Sequence, residues 1–142
     1  MLTAKYIVGL VDGEGSFTAY VRQPKPSKIS SRRVRIEPRF FLKLIERDKV
    51  ILDRLKEFFG CGQVYFQKDT RPNHQPCYRF EVSNRRDLSQ IIVPFFQQHP
   101  LQLPSKAKDF KIFSQMMAAI EKGEHLTSRG LNKLYRLKQK MH

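Results

Sequence analysis

The chain has 142 residues, 40% of them hydrophobic, which is enough to fill the core of one domain. Its 27 lysine and arginine residues outnumber its 13 acidic residues, so the net charge is +14. This excess predicts a polyanionic partner, with nucleic acid as the leading class. No membrane partner is expected, because no run approaches the ~20 apolar residues of a spanning helix and the basic residues form no single amphipathic helix face.

The N-terminal residues and the cysteines indicate the cellular setting. Residues 1–5 contain no signal-like hydrophobic region or cleavage site, so we expect an intracellular protein, in a bacterial or archaeal cytoplasm or in an organelle. Cys61 and Cys77 form no C-x-x-C pair, and the four histidines are scattered. The sequence therefore predicts two inert buried thiols rather than a disulfide scaffold or a zinc site.

The first predicted element is a helix that ends in a glycine-rich acidic turn. Thr3 can cap this helix, which should run to about Asp12. Gly9 and Gly13 are four residues apart, so they share one helix face on which a second backbone can approach closely. Asp12 and Glu14 lie where the helix stops beside exposed backbone carbonyls, an arrangement that suits a hard cation.

Two β-patterned runs follow, joined by a basic loop. Residues 16–22 alternate between apolar and polar, and residues 33–44 form a second run with a core face and a polar face. Residues 23–31 are rich in proline, lysine and serine, which predicts a flexible loop. Residues 18–43 contain eight lysine or arginine residues and one acidic residue, so half of the net charge falls in this hairpin.

The next stretch repeats the order of a helix and two strands. A helix is predicted to begin after Asp48 and to end before Gly60. Its apolar residues at helical spacing, which we expect to pack in the core, are Val50, Ile51, Leu55, Phe58 and Phe59. Strands are predicted at residues 63–68 and 77–83, and their polar faces suit contact with base edges.

The remaining chain is predicted to be helical. A short apolar helix is interrupted or kinked at Pro94, an amphipathic stripe covers residues 107–120, and Thr127 caps the last helix. The order is therefore helix, two strands, helix, two strands and then helices, which predicts one α+β domain over residues 1–142.

One stretch resembles a known sequence motif. It reads Val8-Gly9-Leu10-Val11-Asp12-Gly13-Glu14-Gly15 and resembles the final eight letters of the LAGLIDADG motif of homing endonucleases. Glycines and acids fall at matching positions, while Val8 stands where the family carries a small residue. The likeness implies the αββαββα fold of that family, with additional C-terminal helices and an antiparallel DNA-binding sheet.

The resemblance also implies a metal-dependent nuclease that works as a homodimer. Because the chain carries one copy of the motif, two chains would pair through a helix face that contains Tyr6, Val8, Gly9, Asp12 and Gly13. Glu14 would be a shared ligand of Mg²⁺ or a similar divalent cation, with the Gly13 carbonyl as a second ligand. Asp12 would act mainly as a capping or structural residue.

The same resemblance implies a basic residue near the metal site. Lys106 is the candidate, with Lys108 as the alternative, and its charge would stabilise the transition state. The family also often places a polar residue after the second strand, and Glu46 or Arg47 could take that role here.

The polar faces of the strands are the predicted DNA-binding surface. The arginines expected to read guanine are Arg33, Arg35, Arg39 and Arg79. The residues expected to contact phosphates are Lys25, Lys28, Lys43, Arg136, Lys138 and Lys140. The other candidates on this surface are Thr18, Tyr20, Arg22, Glu37, Phe41, Gln63, Tyr65, Gln67 and Glu81.

Two classes of function fit these features. The first is an intron-encoded, Mg²⁺-dependent homodimer that cuts double-stranded DNA at a long, near-palindromic site. The second is a binding protein of the same fold, either a maturase for intron RNA or a non-catalytic DNA-binding protein. A generic RNA-binding domain is disfavoured, because the sheet faces carry few exposed aromatics at the spacing that base stacking uses.

Overall fold

The computed structural model describes residues 1–23, 36–68, 71–72 and 75–141. The helices are α1 (Ala4–Glu14), α2 (Lys49–Phe59), α3 (Arg85–Asp87), α4 (Val93–Gln98), α5 (Pro104–Glu121) and α6 (Ser128–Gln139). The strands are β1 (Gly15–Val21), β2 (Ile36–Ile45), β3 (Gln63–Gln67) and β4 (Cys77–Val82). The predicted α+β class and its αββαββα order with additional C-terminal helices are confirmed.

The described strands form one antiparallel sheet in the order β1-β2-β4-β3. Paired residues lie on the same face, and alternate residues of each strand point to opposite faces. The pair Phe17 and Phe40 lies on the apolar face, whereas the pair Lys43 and Arg79 lies on the polar face. The sheet therefore has one apolar side that faces the core and one side that carries polar residues.

Aromatic rings fill the core between the apolar sheet face and the helices. The ring centroids of Phe17 and Phe40 are 4.9 Å apart, and Phe96 of α4 lies 5.4 Å from Phe17 and 5.6 Å from Phe40. Phe113 of α5 is 5.4 Å from Phe17. Offset and edge-to-face pairs of this kind stabilise a core beyond the area they bury.

Helix α2 buries fewer apolar residues than predicted. Leu52, Leu55 and Phe59 are buried, at a spacing of three and four residues. Val50 and Phe58 are 52% and 41% exposed, so their assignment to the core was wrong. Two adjacent stripes were compatible with the sequence, and only the packing against β4 selects between them.

The helical segment after β4 passes through Pro94 instead of stopping there. Two short 3-10 turns occur at Glu46–Asp48 and Glu124–Leu126. In the segment after β4, the π-helical turn Leu88–Ile92 joins α3 to α4 without a break. Pro94 follows in the first turn of α4. The π-helical turn lies directly before α4, so the predicted interruption is a local change of helix type.

Two remaining expectations concern membranes and thiols. None of the described helices is long and apolar enough to cross a membrane. Cys77 is buried and Cys61 is partly buried, and both are free. Burial, assisted by the nearby Asp87 carboxylate, raises the pKa of Cys61 to about 11, so this thiol stays protonated and unreactive at neutral pH.

Candidate active site and nucleic-acid interface

Helix α1 ends with one buried and one exposed carboxylate. Asp12 is 9% exposed, whereas Glu14 is exposed and makes no hydrogen bond or ion pair with any described residue. The last turn of α1 contains no basic residue, so the Glu14 charge adds to the negative end of the helix dipole. The Gly13 carbonyl has no helical partner because α1 ends one residue later.

Gly15 allows the chain to pass from α1 directly into β1. A Cβ atom at Gly15 would lie 2.6 Å from Cγ1 and 3.0 Å from the carbonyl oxygen of Val11. Only glycine avoids this overlap, and the absence of any linker places Glu14 at the junction of helix and sheet.

The Asp12 carboxylate links the end of α1 to the start of α5 through hydrogen bonds. It accepts hydrogen bonds from the backbone N–H of Gln102 at 3.0 and 3.1 Å and from that of Leu103 at 3.2 Å. Leu103 is the residue that precedes α5 and has no side-chain cap of its own. Asp12 therefore caps a helix that lies about ninety residues further along the chain.

Lys106 lies in the first turn of α5 and reaches the helix–strand junction. Its Nζ donates a hydrogen bond to the Gly15 carbonyl, the residue after Glu14. A lysine in a first turn faces the positive end of the helix dipole, so helix stability does not explain it. Lys108, the alternative, is exposed and makes no such contact with the described residues, and Glu46 and Arg47 are exposed in the turn after β2.

The oxygen atoms at the end of α1 suit a hard divalent cation. Glu14 offers a carboxylate and Gly13 a backbone carbonyl, which are the ligand types that such ions prefer. Among the described residues there is no group of three or more His, Cys, Asp or Glu that could hold a metal ion. One chain therefore supplies only part of a coordination sphere.

The outer face of α1 is open and lacks side chains at two positions. Tyr6 is 47% exposed, and a Cβ atom added at Gly9 or Gly13 would meet nothing within 4 Å. Val8 and Asp12 face the chain's own interior and are each 9% exposed, so their side chains offer little surface to the predicted helix–helix interface. Both face inward because the period of the helix turns them about 100° away from Gly9 and Gly13.

The predicted DNA-binding residues of the described strands lie on the polar face of the sheet. Cross-strand pairs run over it as Thr18–Arg39, Tyr20–Glu37, Phe41–Glu81, Lys43–Arg79, Tyr65–Arg79 and Gln63–Glu81. Gln67 lies at the end of β3, and the partly buried Arg22 follows β1. The predicted contacts Lys25, Lys28, Arg33 and Arg35 lie outside the described residues.

Contacts with Phe41 and Glu81 hold the Arg79 side chain at the centre of this face. Its guanidinium lies 3.5 Å from the centroid of the Phe41 ring, and its Nη2 atom is 2.7 Å from the Glu81 carboxylate. The Arg79 and Glu81 side chains are only 14% and 16% exposed. Arg39 is 35% exposed and contacts Glu37 at 3.3 Å and Glu81 at 3.9 Å, so it stands further out than Arg79.

Tyr65 completes the contacts of Glu81. Its hydroxyl donates to the Glu81 carboxylate at 3.3 Å. Partial burial raises the pKa of Tyr65, Arg79 opposes that rise and Glu81 adds to it, so the hydroxyl remains a donor at neutral pH. All three contacts of Glu81 fall on its Oε1 atom, so together they fix the position of this carboxylate on the sheet face.

The sequence did not indicate two of the contacts that shape this region. The backbone N–H groups of Gln102 and Leu103 carry no side-chain signal, although the proline after them marks a helix start. Lys138 of α6 donates to the Thr18 hydroxyl at 2.8 Å, which joins the C-terminal helix to the sheet. That contact spans 120 residues, and spacing alone could not reveal it.

Comparisons with known proteins agree with this arrangement. A family model described as LAGLIDADG endonuclease matches residues 7–117. The probable intron-encoded endonuclease 2 of Neurospora crassa is 30% identical over 136 residues, which cover 96% of this chain and 26% of that protein. The chain therefore spans about a quarter of the length of this curated relative.

Solved structures share the fold. The crystal structure of the homing endonuclease I-TnaI is 35% identical with a TM-score of 0.82, and the match covers 99% of this chain and 88% of that chain. I-SmaMI bound to an uncleaved DNA target in the presence of calcium ions is 30% identical with a TM-score of 0.84, and the match covers 100% of this chain and 45% of that chain.

Replacing Asp12 tests its capping role. Asp12→Ala should lower the free energy of unfolding by about 0.5–2 kcal/mol, because two partly buried backbone N–H groups at the start of α5 lose their acceptor. Asp12→Asn keeps one oxygen and should lose less. Chemical denaturation of both variants, with exposed Asp53→Ala as the control, measures the difference; equal stability of all three variants would contradict the role.

Proposed function

Because this chain belongs to the LAGLIDADG endonuclease family, we propose that it is a homing endonuclease that hydrolyses phosphodiester bonds at a specific site in double-stranded DNA. Residues 1–142 would act as one endonuclease domain. The observation that carries the proposal is the exposed Glu14 carboxylate at the end of α1, one residue before the Gly15 carbonyl that accepts a hydrogen bond from Lys106.

Phosphodiester hydrolysis needs negative charge to be stabilised at the phosphorus centre. The Glu14 carboxylate and the Gly13 carbonyl would hold a divalent cation, which we take to be Mg²⁺. When bound, such a cation supplies positive charge that stabilises the phosphoryl transition state. The calcium ions in the I-SmaMI–DNA crystals support the use of a divalent cation by a structure of this fold.

Lys106 supplies a second positive charge from the protein itself. Its Nζ is partly buried at the Gly15 carbonyl, where water screens it less than a surface lysine. Asp12 fixes the start of α5 and therefore the direction of this side chain. We propose that Lys106 stabilises developing negative charge and that Asp12 is a positioning residue.

A homodimer would complete the site. One chain offers a single Glu14, whereas cutting both strands of a duplex requires more than one set of acidic ligands. Gly9 and Gly13 leave an open helix face for a second copy of α1. The chain matches 45% of I-SmaMI, so two copies would supply nearly the length of that protein. A two-fold axis through this contact would suit a near-palindromic target.

The polar sheet face would lie in the major groove. The more exposed side chains would meet the bases first, and these are the exposed Tyr20, Glu37, Gln63 and Tyr65 and the partly exposed Arg39. Arg79 and Glu81, which the sequence analysis grouped with the base-reading residues, would instead hold the surface in shape. Lys43 and the C-terminal lysines would contact phosphates.

A maturase for intron RNA, or a DNA-binding protein without catalysis, is the second candidate. The open face of α1 and the polar sheet would serve binding even if Glu14 had no role. Measuring cleavage of DNA and binding of intron RNA with the same preparation separates these functions.

Cleavage assays test the proposed site. Purified protein with Mg²⁺ should linearise a plasmid that carries the uninterrupted insertion site. Glu14→Gln should bind this plasmid without cutting it, and Lys106→Ala should cut about 10²-fold more slowly because one charge that stabilises the transition state is lost. Lys108→Ala is the matched control and should cut normally. A plasmid that stays intact at saturating protein would refute the proposed nuclease activity.

A change at Gly9 tests the dimer. Gly9→Ala should leave the monomer folded, and alanine even favours the helix by about 0.8–1 kcal/mol over glycine. The added methyl group should separate the paired helices and weaken the dimer in sedimentation experiments. Exposed Glu57→Ala on α2 is the control. A Gly9→Ala protein that dimerises like the original chain would place the interface elsewhere.

A double substitution tests the role of Arg79. Arg79→Ala should weaken binding to every duplex by about 1 kcal/mol, since it leaves the negative charge of Glu81 without its closest partner on a face that meets a polyanion. Adding Glu81→Ala should restore much of the affinity. The dissociation constants of the single and double variants, measured with the target duplex and with a random duplex, test this prediction. A loss confined to one base pair would instead identify Arg79 as a base-reading residue.

A further inference from the structure

A groove lies beside the open face of α1, between this helix and the segment that joins α4 to α5. Its volume is about 440 Å³. That volume equals roughly fifteen water molecules, which is enough for a tyrosine side chain. The residues that line this α1 groove include Lys5, Gly9 and Asp12 on one wall and His99, Pro100 and Gln102 on the other.

Contacts within the chain hold the second wall of the groove in place. The Gln102 N–H donates to Asp12 at 3.0 and 3.1 Å, and the Gln102 side-chain amide donates to the Pro100 carbonyl at 3.1 Å. The His99 ring lies 4.8 Å from the Phe95 ring, measured between centroids. The imidazole makes no hydrogen bond with the described residues. The groove therefore offers an apolar surface at Pro100 and polar groups at His99 and Gln102.

Tyr6 combines an apolar ring with a polar tip, which suits such a groove. Its side chain is 47% exposed on α1, and its hydroxyl makes no hydrogen bond with the described residues. Successive residues of a helix turn by about 100°, which gives an order around α1 in steps of ~20–40°. That order is Tyr6, Gly13, Gly9, Lys5 and Asp12. Tyr6 therefore lies on one side of the two glycines, and the groove of the same chain lies on the other.

Two copies that pair through the glycines bring Tyr6 and the groove together. In the proposed nuclease both Glu14 carboxylates must reach one duplex, so the paired α1 helices run in the same direction with the two-fold axis along them. A two-fold rotation about this axis places the Tyr6 side of one helix opposite the groove side of the other. Residues with the same number then lie at the same height, and Tyr6 is only ~4.5 Å from Gly9 along the helix axis.

We propose that Tyr6 of a second copy of this chain packs into the α1 groove, and that the same contact forms a second time by symmetry. The inference rests on the proposed function for the direction of the paired helices. The ring packs against Pro100, and the hydroxyl faces His99 and Gln102. The second copy thereby covers the contact between Asp12 and Gln102, which fixes the start of α5.

A pair of cysteine substitutions tests this contact. Tyr6→Cys combined with Pro100→Cys should give a covalent dimer after mild oxidation, visible on a non-reducing gel. Peptide mapping should identify a bridge between residues 6 and 100. Each single substitution should give no covalent dimer, because the two Tyr6 residues lie on opposite sides of the two-fold axis.

The matched control combines Pro100→Cys with Glu57→Cys, which places the other thiol at an exposed site on α2. This control should not cross-link. Covalent dimers from Tyr6→Cys alone would show that Tyr6 meets its own counterpart, and that result would overturn the proposal. The absence of a covalent dimer from the double variant would overturn it as well.

The affinity of the dimer provides a second measurement. Tyr6→Ala should weaken the dimer about 30-fold in sedimentation experiments, a typical loss when an aromatic anchor is truncated. Tyr6→Phe keeps the ring and should lose less. Because the two residues are in contact, Pro100→Ala should weaken the Tyr6→Ala dimer less than it weakens the original dimer. Strictly additive losses would place Tyr6 outside the groove.

Plasmid cleavage by the original chain separates this inference from the proposed function. Cleavage by the original chain, without a cross-link in the double cysteine variant, would reject the groove contact and keep the nuclease. A cross-link without cleavage would reject the nuclease and keep the groove contact. An original chain that sediments as a monomer at every concentration would overturn the inference.

Discussion

The contact between the Asp12 carboxylate and the N–H groups of Gln102 and Leu103 determines where the candidate chemistry can occur. Without it, the end of α1 and the start of α5 would be two unconnected helix termini. With it, the acidic end of one helix and the first-turn lysine of another lie at the same strand junction. A buried carboxylate that accepts three hydrogen bonds is costly to disturb, so this geometry is strongly fixed.

The open face of α1 explains why glycine occurs twice in a helix that would be more stable with alanine. Inside one chain neither Gly9 nor Gly13 has a steric reason to be glycine, unlike Gly15 and Gly130, which have neighbours too close for a methyl group. The two kinds of glycine therefore differ in their structural cause. One kind is required by the fold of the chain, and the other leaves room for the second backbone of the proposed homodimer.

Much of the fold could be predicted from local patterns, because periodicity and capping act over a few residues. Thr3 and Thr127 cap their helices as expected, and the alternation in the strands placed the polar face correctly. Phe58 was misplaced because two helical stripes fit the same residues and only packing separates them. Arg79 and Glu81 looked like two independent contacts, since their pairing and the stacking on Phe41 depend on the cross-strand register. The partner of Asp12 could not be predicted, because backbone groups carry no residue identity.

Two acids on the basic sheet face bear on how such a protein would search a genome. Glu37 and Glu81 engage Arg39 and Arg79, so these arginines displace fewer counterions from arbitrary DNA than free arginines would. Weaker attachment to wrong sequences shortens the time spent at each of them. In the proposed function, a chain with a net charge of +14 would thus dissociate quickly enough from wrong sequences to sample many sites, and its full set of contacts would form only where the bases match.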